Sequence, residues 1–196
     1  MKKVLLIYVV LIAAIAIWWL VAENENSNNG DKPPKEKALT VSKHSSEFNE
    51  SVEKLLGNYY NTTESFVKGD MAAIDQNINK LKTALDGLNL DELKKDTAGI
   101  YDNAVFMKES TRGSVEQLLS DPDLQAKRKS FNQLSDNFLH LINSVNDTGQ
   151  FYWMECMTAF GEGSSGFWLS SKEKSENPYG QKDCGSVRKT INVPKK

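Results

Sequence analysis

Between Phe48 and Val145 apolar residues recur at spacings of three and four, and that period commits most of the chain to helices. Phe48, Val52, Leu55, Leu56, Tyr59, Phe66 and Val67 fall on one helical face. Gly69 stops that helix and Asp70 is placed to cap the next. Met71, Ile74, Ile78, Leu81 and Leu85 carry the period on to Asp86-Gly87. A third series runs Leu93, Ile100, Ala104, Met107, Val115 and Leu118, with Gly99 and Gly113 predicting a bend or break. Asp121-Pro122 reads as a fourth start, Asp as N-cap and Pro at the first helical position. Leu124, Phe131, Leu134, Phe138, Leu141 and Val145 follow, up to Asn146-Asp147-Thr148-Gly149. Four amphipathic helices joined by short turns predict a mainly α fold, an antiparallel four-helix bundle over residues 41–149. Phe131 and Phe138 are core residues on this reading.

No helix carries the Glu-x-x-His pair of a di-iron bundle, and His44 and His140 are isolated. They read as capping, surface or satisfied core residues.

After Gly149 the period changes. Phe151-Tyr152-Trp153-Met154 and Phe167-Trp168-Leu169 are short and aromatic, as strands are. Gly161 to Gly166 connects them, Asn177-Pro178-Tyr179-Gly180 signals a turn, and Val187 to Val193 offers a third strand. The expectation for residues 150–193 is a Cys-, Met- and aromatic-rich module, its small β-element packed on one end of the bundle. Gly161-Glu162-Gly163-Ser164-Ser165-Gly166 matches the letters of a dinucleotide-binding loop, but a strand-like segment follows it where a helix is required. Phe167 also stands where a nucleophile elbow needs glycine. No acid/base pair or nucleophile constellation can be placed, so no enzyme is predicted.

The chain of 196 residues has room for one domain with an appendage, and its net charge of −2 excludes a large basic surface for nucleic acid. Lys2 and Lys3 precede an uncharged apolar run over residues 4–22. As a helix that run spans about 28 Å, close to a bilayer's hydrocarbon thickness. Residues 1–22 therefore read as an N-terminal transmembrane helix with a cytoplasmic N-terminus, anchoring an exported domain that faces the periplasm from the inner membrane. The rival is a cleaved signal peptide with Ala14-Ile15-Ala16 at the cleavage site, which leaves an apolar stub from Ile17 to Ala22. Both readings export the domain. Residues 23–40 are polar and contain Pro33-Pro34, the composition of a flexible tether.

Chemistry collects between Phe151 and Val187, which holds both cysteines, two of the five methionines and two of the four tryptophans. Cys156 and Cys184 admit three readings. In an oxidising compartment they pair, closing a loop of about 29 residues worth about 3.5 kcal/mol on the chain-entropy model. Alternatively Cys156, Cys184, Met157 and Met154 offer the soft sulfur donors that suit Cu(I). On a regular strand Met154 and Cys156 share a face and Met157 opposes them, so a turn or bulge is needed to gather all of them. Third, both are unlinked structural thiols. Composition alone favours the disulfide.

Cys156-Met157-Thr158-Ala159, Trp168-Leu169-Ser170, Asn177-Pro178-Tyr179-Gly180 and Cys184-Gly185 occur in that order. With Tyr59-Tyr60, Phe66-Val67, Asp70, Arg128-x-x-Phe131 and Leu134-Ser135, they make residues 44–190 resemble the bacterial domain of unknown function 3347. Its C-terminal blocks are specific and its helical blocks weak. That domain occurs in small exported proteins and on periplasmic adaptor subunits of copper/silver-type efflux pumps. The resemblance implies a metal-efflux adaptor or another envelope protein as partner, and marks Trp168, Asn177, Pro178 and Tyr179 as family positions. Two departures bear on metal: no proline follows Cys156, and Gln181 replaces the methionine before the second cysteine.

The leading expectation is a non-enzymatic, membrane-anchored exported protein that binds a soft ion such as Cu(I) through Cys156, Met157 and Cys184, with Met154 as fourth donor. Phe151, Trp153 and Trp168 would shield the site. The alternative is a structural or interaction module of the cell envelope with a Cys156–Cys184 disulfide and no metal.

Overall fold

The computed structural model describes residues 44–96, 99–145 and 149–193. The anchor over residues 1–22, the tether over 23–40 and the expected start of the folded part near Val41 lie outside them. Among the described residues no helix is long and apolar enough to cross a membrane.

Among the described residues four α-helices form: α1 (Ser46–Lys68), α2 (Met71–Asp86), α3 (Ile100–Ser120) and α4 (Leu124–Val145). A three-stranded antiparallel sheet follows: β1 (Gly149–Cys156), β2 (Gly166–Ser170) and β3 (Ser186–Val193), in the order β2-β1-β3. The mainly helical fold with a small C-terminal sheet is thus as the sequence predicts. Ser45 caps α1 by accepting from the Phe48 amide at 3.2 Å. The Glu92 carboxylate accepts from both the amide and the hydroxyl of Ser45, which holds its pKa below the ordinary carboxylate value. Gly69 ends α1 at φ 69°, where a Cβ would be strained, and Asp70 accepts from the Ala73 amide at 3.1 Å to open α2.

Two boundaries differ from expectation. The third series is split, with a 3-10 turn over Asp91–Lys95 burying Leu93 before α3 begins at Ile100 and runs unbroken through Gly113. The fourth start is shifted. The Asp121 amide donates to Gln117 O at 3.1 Å, so Asp121 closes α3 and cannot open α4. Asp123 takes that role, its Oδ1 accepting from the Gln125 and Ala126 amides, both at 2.9 Å. Pro122 therefore lies ahead of the cap, outside the helix.

The helices pack most extensively as two hairpins, α1 on α2 and α3 on α4. Their shared core holds a column of aromatic rings. Tyr59 stacks on Phe138 at 4.4 Å and on Phe131 at 5.6 Å, and Phe66 stacks on Phe131 at 4.5 Å. Phe131 and Phe138 are fully buried, as expected of them. Lys127 is buried too, its Nζ donating to Leu118 O at 2.7 Å and pairing with Asp75 at 3.0 Å. That contact ties α4 to both α3 and α2. His44 is buried against Phe48, and His140 is exposed.

The sheet does not sit on one end of the bundle. Its β2 edge meets the middle of α1 and α4, and the reason is hydrogen-bond supply. An edge strand has outward amides with no strand to receive them. Here the Leu169 amide donates to the Tyr59 hydroxyl at 3.2 Å, and the Phe167 amide to Asn132 Oδ1 at 2.7 Å. Two helical side chains thus stand in for the missing strand. The Tyr59 hydroxyl is held on its other side by Ser135 at 2.7 Å, and burial raises its pKa far above the ordinary value.

Candidate functional site: a disulfide-closed strap

Residues 171–185 run from β2 to β3 without helix or strand and form a strap across one face of the sheet. That face is fixed by register. Met154 opposes Trp168 and Cys156 opposes Gly166, so these four share it, while Trp153 and Phe151 alternate to the other side. Of the three aromatic residues expected to shield the cysteines, only Trp168 is on their face. Trp153 stacks instead on Phe167, at 5.5 Å and 4° between planes.

The Asn-Pro-Tyr-Gly block is the strap's latch. Asn177 Oδ1 accepts from the Tyr179 amide at 2.7 Å, shaping the turn. Pro178 O accepts from Arg128 Nε at 3.1 Å. Gly180 lies under that guanidinium, where a Cβ would come within 2.6–2.7 Å of its carbon and both terminal nitrogens. Tyr179 is 4 % exposed, and its hydroxyl donates to Phe167 O. Its ring meets Trp168 edge-on at 5.9 Å, Phe160 at 5.1 Å and Phe131 at 6.2 Å. A Cβ at Gly166 would fall 2.6 Å from both Tyr179 and Ala159. Burial raises the Tyr179 pKa well above its ordinary value. Trp168 is fully buried and donates Nε1–H to Ser175 Oγ at 3.1 Å, fixing the strap upstream of the latch. Trp168, Asn177, Pro178 and Tyr179 are therefore one packing unit, and Arg128-x-x-Phe131 is its counterpart on α4.

Downstream of the latch the strap is bonded covalently. Cys156 and Cys184 form a disulfide, with an S–S distance of 2.03 Å and Cα atoms 5.2 Å apart. Of the three sequence readings of the cysteines, the structure shows this one. Gln181 lies beside the bridge: its Nε2 donates to Thr158 O at 2.6 Å and its Oε1 accepts from the Thr158 hydroxyl at 3.1 Å. The same Oε1 is 3.3 Å from Cys156 Sγ. Asp183, just before Cys184, adopts φ 63°.

The four sulfur residues are not equivalent. Cys156 is fully buried at the end of β1, and Met154 is 1 % exposed. Met157 is 63 % exposed on the turn that follows β1. Cys184 is half-buried and lines an open cavity of about 650 Å³ together with Val67, Asn177, Gly180 and Lys182. A second cavity of about 350 Å³ lies alongside, sharing Val67, Ser175 and Glu176, with Tyr60, Leu169 and Lys172 in its wall. Disulfide sulfurs are not thiolates, so the oxidised pair does not fit the donor set that Cu(I) requires. Among the described residues no group of three or more His, Cys, Asp or Glu side chains is placed to hold a metal ion.

Sequence reasoning missed Asn132, Thr158 and the supporting role of Gln181. Asn132 has no periodic signal, since a half-buried polar residue on a helix is ordinary. Gln181 was legible only as a departure from a pattern.

Residues 55–150 match a family described as proteins of unknown function (DUF3347). The match starts at Leu55 within α1, takes in α2, α3 and α4 and ends as β1 begins, so the resemblance is shown on the helical body, and the C-terminal blocks lie beyond it. No curated protein and no solved structure matches the chain.

Proposed function

We propose that the protein is a non-enzymatic interaction module of the cell envelope, exported and held at the inner membrane through residues 4–22, with the disulfide-closed strap as its working surface. The Cys156–Cys184 disulfide carries this reading. Disulfides persist in oxidising compartments and are rare in the cytosol of mesophiles, which agrees with the charge and hydropathy of the N-terminus. The two open cavities beside the strap supply concave surface of mixed character, Val67, Leu169 and Tyr60 with lysine and glutamate around them. Such a surface suits a protein or peptide partner, among which a metal-efflux adaptor subunit is the one the family resemblance suggests.

The test is intact mass of the protein isolated from its own membranes under alkylating, non-reducing conditions. The expected result is a chain lighter by two hydrogens than its reduced form and unmodified by the alkylating agent. Two alkylated cysteines would remove the reading.

A soft-metal function is confined to the dithiol state. The exposure of Met157 directly after Cys156 favours it as a second reading, with Cys184 and Met154 completing the set. Cu(I) titration of reduced protein against a competing chelator decides it, and unchanged affinity in Cys156→Ser/Cys184→Ser ends it.

A further inference from the structure

We propose that the Cys156–Cys184 bridge is a thiol–disulfide exchange site, attacked at Cys184 with Cys156 as the leaving sulfur, and that its partner is a dithiol oxidoreductase of the Cys-x-x-Cys class. The proposal rests on the disulfide of the preceding section and adds a direction, a partner class and a receiving group. Exchange requires a thiolate to reach one sulfur, and access decides which. Cys156 is fully buried, under the strap and opposite Gly166 in the sheet. Cys184 is half-buried and faces the open cavity of about 650 Å³. Only Cys184 offers an approach from solvent without unfolding β1.

The step balances without any group the protein lacks beyond the dithiol partner. The partner's thiolate bonds to Cys184 Sγ, the Cys156–Cys184 bond breaks, and Cys156 leaves with the electron pair and takes a proton from water. The partner's second thiolate then attacks its own sulfur in the mixed disulfide and releases Cys184. The partner is oxidised by two electrons and the cysteine pair reduced by two, and the reverse sequence closes the bridge.

The structure holds a place for the product. Gln181 Oε1, 3.3 Å from Cys156 Sγ, becomes a hydrogen-bond acceptor once that sulfur carries a proton. Its side chain is already fixed by two bonds to Thr158, so it needs no rearrangement. After cleavage the latch at Pro178 and Tyr179 still holds the strap through Arg128 and Phe167. Only the short arm from Lys182 to Gly185 is freed, which keeps Cys184 close enough to re-form the bond.

The test uses the full chain in detergent micelles, with intact mass first confirming the bridge; its absence at that stage overturns the preceding reading and this one together, whereas a failure of exchange with the bridge present overturns this one alone. The oxidised protein is then mixed with a Cys-x-x-Cys oxidoreductase whose second cysteine is serine, which traps the mixed disulfide. Peptide mapping is expected to place the adduct on Cys184 and alkylation on Cys156. In glutathione buffers Gln181→Leu is expected to raise the disulfide-to-dithiol ratio about fivefold, because the reduced form alone loses an acceptor. Gln117→Ala, which removes an exposed bond to Asp121 that is present in both states, is expected to leave that ratio unchanged. An adduct on Cys156, no adduct while the fold persists, or an unshifted ratio in Gln181→Leu would overturn the proposal.

Discussion

The helical body and the strap module are held together by contacts of opposite range. In the body each helix is defined by its own neighbourhood: Ser45 with Phe48, Asp70 with Ala73, and apolar residues three and four apart facing one core. In the module the fixing contacts join distant residues: Tyr59 with Leu169, Asn132 with Phe167, Arg128 with Pro178, Cys156 with Cys184. The body's stability is spread over many interchangeable packing contacts, so losses there scale with the volume removed. The module concentrates its stability in a few fasteners, two seating the edge strand β2 and two holding the strap, which has no helix or strand of its own. One consequence is that the two regions should fail by different routes.

The largest loss is expected in the body. Phe138 is fully buried and stacked on Tyr59, so Phe138→Ala is expected to cost about 4 kcal/mol through lost burial and the cavity left behind. Urea unfolding followed by far-UV circular dichroism measures it. A loss below about 1.5 kcal/mol would mean the aromatic column is not the core's main contact.

Next comes the bridge. Cys156→Ala/Cys184→Ala is expected to cost about 3.5 kcal/mol, and the cost should fall on the module. The two regions have separate probes, because both described tryptophans, Trp153 and Trp168, lie in the sheet and none in a helix. In a Trp18→Phe/Trp19→Phe background, fluorescence of the bridge-less protein should change at lower urea than its helical signal. Coincident transitions would break the comparison, showing that body and module unfold as one.

The join between the regions should be the alkali-sensitive part. Tyr59, Tyr60 and Tyr179 have pKa values raised by burial, Tyr60 from 10.0 to about 12. A raised folded-state pKa contributes stability that is complete below pH 10 and is lost as pH climbs towards the folded value. For Tyr60 that loss is about 2 kcal/mol across the window. Urea midpoints measured from pH 9 upward should fall steeply above 10, and Tyr60→Phe should flatten the slope. An unchanged slope would mean that Tyr60 stays solvated.

What the sequence disclosed follows the same division. The helical period, the stop at Gly69 and cap at Asp70, and all three strands were legible because their signals lie within a few residues of one another. The docking of β2 on the flank was not, since Asn132 and Tyr59 show no mark of an edge strand 35 and 110 positions away. The cysteines were legible as a set of alternatives, and their pairing is a fact about distance that no spacing encodes. Strand alternation placed Met154 with Cys156 and Met157 on the opposite face, but not that one would be buried on the strand and the other exposed on the turn. Gln181 read as a lost donor because patterns record residue types, whereas its bonds to Thr158 depend on where the strap returns.

The smallest expected effect tests the local end of this contrast, where sequence rules should work best and were off by one cap. In Ser120-Asp121-Pro122-Asp123 both aspartates satisfy the rule for opening a helix. Only one can bond the free amides at the start of α4, and the competition is settled by α3, which claims the Asp121 amide for Gln117 O. Asp121's carboxylate then accepts from Gln117 Nε2 at 2.8 Å, an exposed contact. Asp123→Ala should therefore cost about 1 kcal/mol, the usual loss for a helix N-cap. Asp121→Ala should cost no more than about 0.5 kcal/mol, the level of an exposed side-chain contact. If the two losses were reversed in urea titrations, α4 would begin at the proline after all, and the boundary read from local pattern would be the right one.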